Sequence, residues 1–235
     1  MCIRDRFINS AVLLVIMMSC VRWYKKHPLE DGAPKGGVGM IEATVLSIYN
    51  DVIKGCIGEN YRRYAPYLLT AFFFVLVNNL MGLIPIFPGG ANVTGNIAIT
   101  LVLALCTFVL TNVYGTKAYW KEIFWPDVPT WLKAPIPMMP LIEFFGIFTK
   151  PFALMIRLFA NIMAGHAAVL SLVAIIFITV KSGPVINGSM TVVSVAFSIF
   201  MDALEILVAF IQAYVFTMLS AVFIGLSQVK EHAEK

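Results

Sequence analysis

From Leu141 to Val180 the chain keeps an apolar character for forty residues, and near the middle of that stretch stands an arginine, Arg157. An upright helix needs about twenty residues to cross the roughly 30 Å hydrocarbon core, so a helix of this length must tilt strongly, kink or run partly in the membrane plane. A guanidinium at mid-bilayer costs roughly 2.5–3.5 kcal/mol on insertion scales, and it therefore needs a partner or a water-filled cavity. Snorkelling or a structural pairing with a neighbouring helix is the ordinary explanation of such a residue. A second polar set in the last apolar run, Asp202, Glu205 and Gln212, favours a functional one.

With 60% hydrophobic and 13% charged residues and a mean hydropathy of +0.85, the chain has too much apolar surface for one soluble core. The expectation is an all-α, polytopic membrane protein forming a single integral membrane domain over residues 1–235. Five crossings are read at 7–22, 66–87, 96–114, 141–181 and 190–226. The run Phe7–Val21 has only fifteen residues, about 22 Å of helix, and two readings of it stay open. Arg4 and Arg6 in front and Ser19-Cys20 behind resemble a signal peptide. No A-x-A site follows, however, and Arg22, Lys25 and Lys26 come at once, as after a span ending in the cytoplasm. Its shortness also raises the expectation that native sequence precedes Met1–Arg6.

Between the first two spans lies a polar region with a Pro/Gly-rich turn at 31–37. There Met40, Ile41, Ala43, Thr44, Val45, Ile48, Val52 and Ile53 trace one face of an amphipathic helix at 40–56, expected along the membrane surface. An aromatic, proline-rich connector with Trp120, Trp125 and Trp131 follows the third span and suits the membrane interface. With five crossings, twelve cations from Arg22 to Lys235 fall on one side and only Arg4, Arg6 and Lys181 on the other. That places the C-terminus in the cytoplasm.

Arg157 and Asn161 are four residues apart and share a helix face, whereas His166 lies about 140° further round from Asn161. Glu205 and Gln212, seven apart, also share a face, with Asp202 one turn before Glu205. Polar residues on two long apolar helices imply that the helices face each other or a hydrated crevice. Arg keeps its proton at working pH, while Glu and His exchange theirs. A permanent charge at Arg157 beside a relay through His166 and Glu205 is the resulting division of labour. Cys2, Cys20, Cys56 and Cys106 show no CxxC or paired spacing, and no metal site or cofactor is expected.

Two segments carry a resemblance. Arg157-Leu-Phe-Ala-Asn-Ile-Met-Ala-Gly-His166 and Leu204-Glu-Ile-Leu-Val-Ala-Phe-Ile-Gln-Ala-Tyr-Val-Phe216 closely resemble the signature helices of the a subunit of F-type ATP synthases. Asn79-Leu-Met-Gly-Leu-Ile-Pro85, Thr94-Gly-Asn-Ile-Ala-Ile-Thr100 and Glu143-Phe-Phe-Gly-Ile-Phe-Thr-Lys-Pro151 match as well, so the likeness runs from about Phe7 to Leu226. The resemblance implies a proton-translocating stator subunit, not catalytic on its own, whose two long tilted helices wrap a rotor ring. It implies that Arg157 is the essential charge facing the c-ring carboxylates. Asn161, His166, Glu205 and Gln212 would line the outer half-channel, and Glu143 falls where an acid lies near the cytoplasmic one. Asp202 and Asn96 are added as candidates for the proton path. The partners implied are the c-ring, the b-subunit peripheral stalk and membrane lipids, without nucleic acid, in a bacterial inner membrane. The choice of H⁺ or Na⁺ would rest with the ring.

Departures accompany the match. Some bacterial members carry Glu at the position of His166 and His at that of Glu205, so the pair is exchanged here. Gly82 and Asn96 stand where some relatives have Asp. The rival reading is a self-contained cation or proton transporter, which predicts inverted repeats or a substrate site of its own, and neither is visible in the sequence. A membrane enzyme would need a nucleophile–base set, HExxH or a nucleotide loop, which the sequence lacks. Glu42, Glu59, Glu122, Lys150, His27 and His232 read as solvated or interfacial charges, and Met138, Met139, Met155 and Met163 as packing.

Overall fold

A computed structural model describes residues 3–26, 36–83, 96–124, 138–180 and 184–228. The turn expected at 31–37 lies almost wholly outside these residues, as do the loop at 88–95, Trp125, Trp131, Lys133, Lys181 and the last seven residues. Every regular element among the described residues is helical. The α-helices of eight residues or more are α1 (Ile3–Lys26), α2 (Gly37–Ser47), α3 (Tyr61–Leu83), α4 (Ile97–Val113), α5 (Lys117–Phe124), α6 (Met138–Thr179) and α7 (Pro184–Ser227). Lengths and compositions sufficient to cross a membrane occur in Tyr61–Leu83, Phe144–Thr179 and Asn187–Ser227, and Ile97–Val113 is a shorter apolar helix. At 42 and 44 residues, α6 and α7 are about 63 and 66 Å long, twice the hydrocarbon thickness.

Several elements depart from expectation, among them the last helix, which starts at Pro184 rather than 190, and the first, which runs from Ile3 to Lys26 rather than over 7–22. The second span starts at Tyr61 and carries Pro66 inside it. A proline this near a helix start removes one hydrogen bond without stopping the helix. The helix expected at 40–56 is two structures: α2, which buries no residue, and a π-helical segment, Ile48–Lys54, which buries Ile48, Val52 and Ile53. With i→i+5 bonding those three residues, at i, i+4 and i+5, stack on one side. They join the protein core, so this half of the apolar face packs inward while Met40 stays 75% exposed. The connector contains α5, with Tyr119 and Ile123 buried and Lys117 and Lys121 outward at the i, i+4 spacing.

The core forms where α3, α6 and α7 meet, around Leu68, Phe72, Val75, Leu154, Leu158, Phe216 and Ile224. Every fourth residue along α7 is small: Ala209, Ala213, Thr217, Ala221 and Gly225. Small residues at this spacing let neighbouring backbones approach closely, which drives association where lipid removes the hydrophobic advantage. At Gly225 the approach is closest, because an added Cβ would strike the carbonyl oxygen of Cys56. The obstacle is backbone and does not rotate away. Gly225→Ala is therefore expected to destabilise the fold by about 1–3 kcal/mol, read as a lower Tm in detergent; an unchanged Tm would contradict this packing.

Hydrogen bonds between helices complete the assembly. The Tyr67 hydroxyl lies 2.9 Å from that of Thr107, which lies 3.4 Å from that of Ser220, linking α3, α4 and α7. Asn9 of α1 donates to Asn78 of α3 at 3.3 Å, and Asn79 donates to the Ala209 carbonyl of α7 at 3.4 Å. The end of α7 is clasped from outside: Thr116 donates its N–H and its hydroxyl to Ser227 O, and Gln228 donates its amide to Tyr114 O. These donors satisfy carbonyls that a helix end otherwise leaves open.

Candidate functional site

Between α6 and α7 opens a crevice lined by Asn79, Asn161, Ile162, Gly165, His166, Glu205, Val208 and Ala209. Its cavity of about 40 Å³ exceeds the roughly 10–15 Å³ that one water occupies. On α7 the wall residues Glu205, Val208 and Ala209 fall at i, i+3 and i+4, one helix face. On α6 they are Asn161, Ile162, Gly165 and His166, two adjacent rows. Asn161 and His166 thus share a wall despite their angular separation, since they stand in adjacent rows and both line the crevice. The side-chain oxygen Oε1 of Glu205 is buried there and has no hydrogen-bond partner. A buried acceptor in that state calls for a water or a proton donor, and the cavity has space for one.

The expected residues divide between this crevice and other places. Asn161, His166 and Glu205 come together. Arg157 sits one turn before Asn161 on α6 and is exposed, beside Ile156 at 42% exposure. Gln212 is buried one turn beyond Val208 on α7, outside the crevice walls, and Asp202 is exposed one turn before Glu205. Asn96 caps α4, its side-chain oxygen accepting from the Ala98 N–H at 3.0 Å. Glu143 lies on α6 about 21 Å along the axis from Arg157, and its side chain is outside the described residues. Five wall residues are not among the site residues expected from sequence: Asn79, Ile162, Gly165, Val208 and Ala209. For Asn79 a signal exists, since two adjacent amides in an apolar span must find partners.

Gly165 decides where the Glu205 carboxylate can be. A Cβ there would overlap Oε1 and approach Cδ at 2.8 Å. Unlike the Gly225 case, the obstacle is the end of a flexible side chain, which can swing aside. Gly165→Ala is thus expected to leave thermal stability nearly unchanged while moving the carboxylate, and a displacement of about 1 Å costs on the order of tenfold to a hundredfold in rate. Proton flux through reconstituted vesicles checks this; wild-type flux would mean that the carboxylate position is unimportant.

Residues 7–225, spanning α1 to α7 and the whole crevice, match the ATP synthase A chain family. The chain belongs to this family. Among its relatives, "ATP synthase subunit a" of Chlorobium phaeobacteroides is 48% identical over 235 residues, covering 97% of this chain and 65% of that protein. "ATP synthase subunit a 2" of Chlorobaculum tepidum is 48% identical over 223 residues, covering 93% of this chain and 60% of that protein. "ATP synthase subunit a" of Myxococcus xanthus is 43% identical over 225 residues, covering 93% and 70%. The chain therefore spans less than two thirds of the length of the first two relatives.

Proposed function

We propose that this chain is the proton-translocating stator subunit of a rotary F-type ATP synthase, with five crossings made by α1, α3, α4, α6 and α7. One observation carries the reading: a polar crevice holding Asn161, His166 and Glu205 ends one helical turn from an exposed arginine on a long apolar helix. Protons reach the crevice from the outer side and pass by His166, Glu205 and Asn161 to a carboxylate supplied by another chain. Neutralised, that carboxylate turns into lipid at acceptable cost. It returns on the other side of Arg157, where a second half-channel near Glu143 leads to the cytoplasm. Gln212, Asp202 and Asn96 belong to the approaches on this reading. The partners are the c-ring, the b-subunit peripheral stalk and lipid, in a bacterial inner membrane with the C-terminus cytoplasmic.

The most apolar stretch of α6 has a mean hydropathy of 2.3, and none of its residues is fully buried within the chain. On this reading the rotor covers part of it. Ile156 and Met163, 42% and 50% exposed, flank Arg157 and Asn161. Cysteines introduced at Ile156 and Met163 are expected to crosslink to the ring subunit in native membranes. Crosslinks confined to this chain in the assembled complex would instead favour a self-contained transporter.

A further inference from the structure

Asn78 and Asn79 are neighbours on α3, about 100° apart round it, and serve different neighbouring helices. Asn79 lines the crevice and donates to the Ala209 carbonyl, itself part of the opposite wall, across a long 3.4 Å. Asn78 points to α1, where it accepts a hydrogen bond from Asn9 Nδ2 at 3.3 Å while donating its own amide to Phe74 O at 2.7 Å. Asn9 and Asn78 are both 2% exposed. α1 also sets the apolar side chains of Leu13 and Met17 against the core, and contacts of that kind can slide.

Apolar contacts tolerate rotation and sliding of one helix on another; a buried amide pair does not, because any slip leaves two groups unsatisfied in a medium that offers no water. A single polar pair in an apolar interface is the best-attested device for fixing register. We propose that the Asn9–Asn78 hydrogen bond is a register pin through which α1 fixes the rotation of α3, and so holds Asn79 in the crevice wall. Asn9 and Asn78 are positioning residues in this account: neither lines the crevice, and both act through Asn79. The functional part rests on the proton-path reading above; the positional part stands without it.

The test replaces both amides by an apolar pair. Asn9→Leu/Asn78→Leu leaves no orphaned polar group and is expected to assemble, but without a specified register. Proton flux in reconstituted complex should fall about three- to tenfold, the range set by losing one interhelical hydrogen bond, with a displaced pH profile. Each single leucine variant strands one amide, so the two losses should be non-additive. Asn78→Asp keeps an oxygen opposite Asn9 Nδ2 and should retain flux within about twofold; it is compared with Asn78→Leu should the double variant not assemble. A second readout needs no flux: with the native cysteines replaced by serine, Val208→Cys reports the crevice wall through its reactivity to a water-soluble methanethiosulfonate. That reactivity should change at least threefold when the pin is removed. Wild-type flux, pH profile and thiol reactivity in the double leucine variant, or equal losses in Asn78→Asp and Asn78→Leu, would overturn the pin. Absence of proton flux in the unaltered complex would defeat the proton-path reading alone, since the thiol arm would still decide the pin.

Discussion

Arg157→Ala is expected to abolish proton-driven ATP synthesis, and Arg157→Lys to come close to doing so. The guanidinium is exposed on α6, and no ion pair engages it among the described residues. An intramembrane cation so placed is available to an acid from outside the chain. At about 4 Å and an effective dielectric near 20 the attraction to a carboxylate is roughly 4 kcal/mol, on the order of three pK units in favour of the ionised acid. On the stator reading proposed above, that is enough to strip a proton from a rotor carboxylate as it passes and to hold the anion until it crosses. Lysine keeps the charge but concentrates it on a smaller, more strongly hydrated group without the planar fork, so it binds water in competition with the carboxylate. On that same stator reading, alanine removes the charge that bars protons from passing between half-channels, and leakage is expected beside the loss of synthesis. The measurement is ATP synthesis by reconstituted vesicles under an imposed proton gradient, with passive proton leak read in parallel. Coupled synthesis near the wild-type rate in Arg157→Ala vesicles would remove Arg157 from the mechanism.

The long helices were legible because a bilayer demands continuous apolar runs, and Leu141–Val180 and Met190–Leu226 supply them. The predicted ends of α6 and α7 fall within a few residues of the structure at most termini. The early start of α3 was hidden behind Pro66, whose effect depends on its distance from a helix start that nothing in the sequence marks. The division of the 40–56 helix was hidden for another reason: a 3.6-residue period fits Met40 through Ile53 as one face and cannot register a change to i→i+5 bonding at Ile48.

At the site the contrast is sharper. Arg157, His166 and Glu205 announce themselves, since a charge in an apolar run needs a reason. Gly165 does not, because its importance is a distance between two helices, and only their packing shows that a Cβ there would meet Glu205. Asn79 stands between the two cases: an amide in an apolar span signals a need for a partner, but the partner, a backbone carbonyl at Ala209, lies 130 residues away and has no signature in sequence. Side-chain chemistry can be read from the chain itself, whereas close approach has to be read from the fold.

His166 and Glu205 are expected to act as one unit. Both line the crevice, from opposite helices, and the Glu205 oxygen Oε1 is buried without a hydrogen-bond partner. An acid and an imidazole facing one space of about 40 Å³, with room for water, can pass a proton between them through one or two waters, and either order of the two would serve. Single replacements, His166→Ala or Glu205→Gln, should each slow proton flux by on the order of 10²-fold, the lower end of what a positioned proton-transfer group contributes. Removing both should then cost little more than removing one, because a relay broken at one link is already broken. The exchange His166→Glu with Glu205→His restores one acid and one imidazole, and it should recover part of the flux. Recovery should be incomplete, because the close approach at Gly165 is to a carboxylate arriving from α7, and a ring at position 205 has a different shape and reach. Proton flux in the two single variants, the double alanine–glutamine variant and the exchanged variant completes the cycle. Additive losses together with no recovery in the exchanged chain would show two residues working separately, and the crevice would then be two sites sharing a wall.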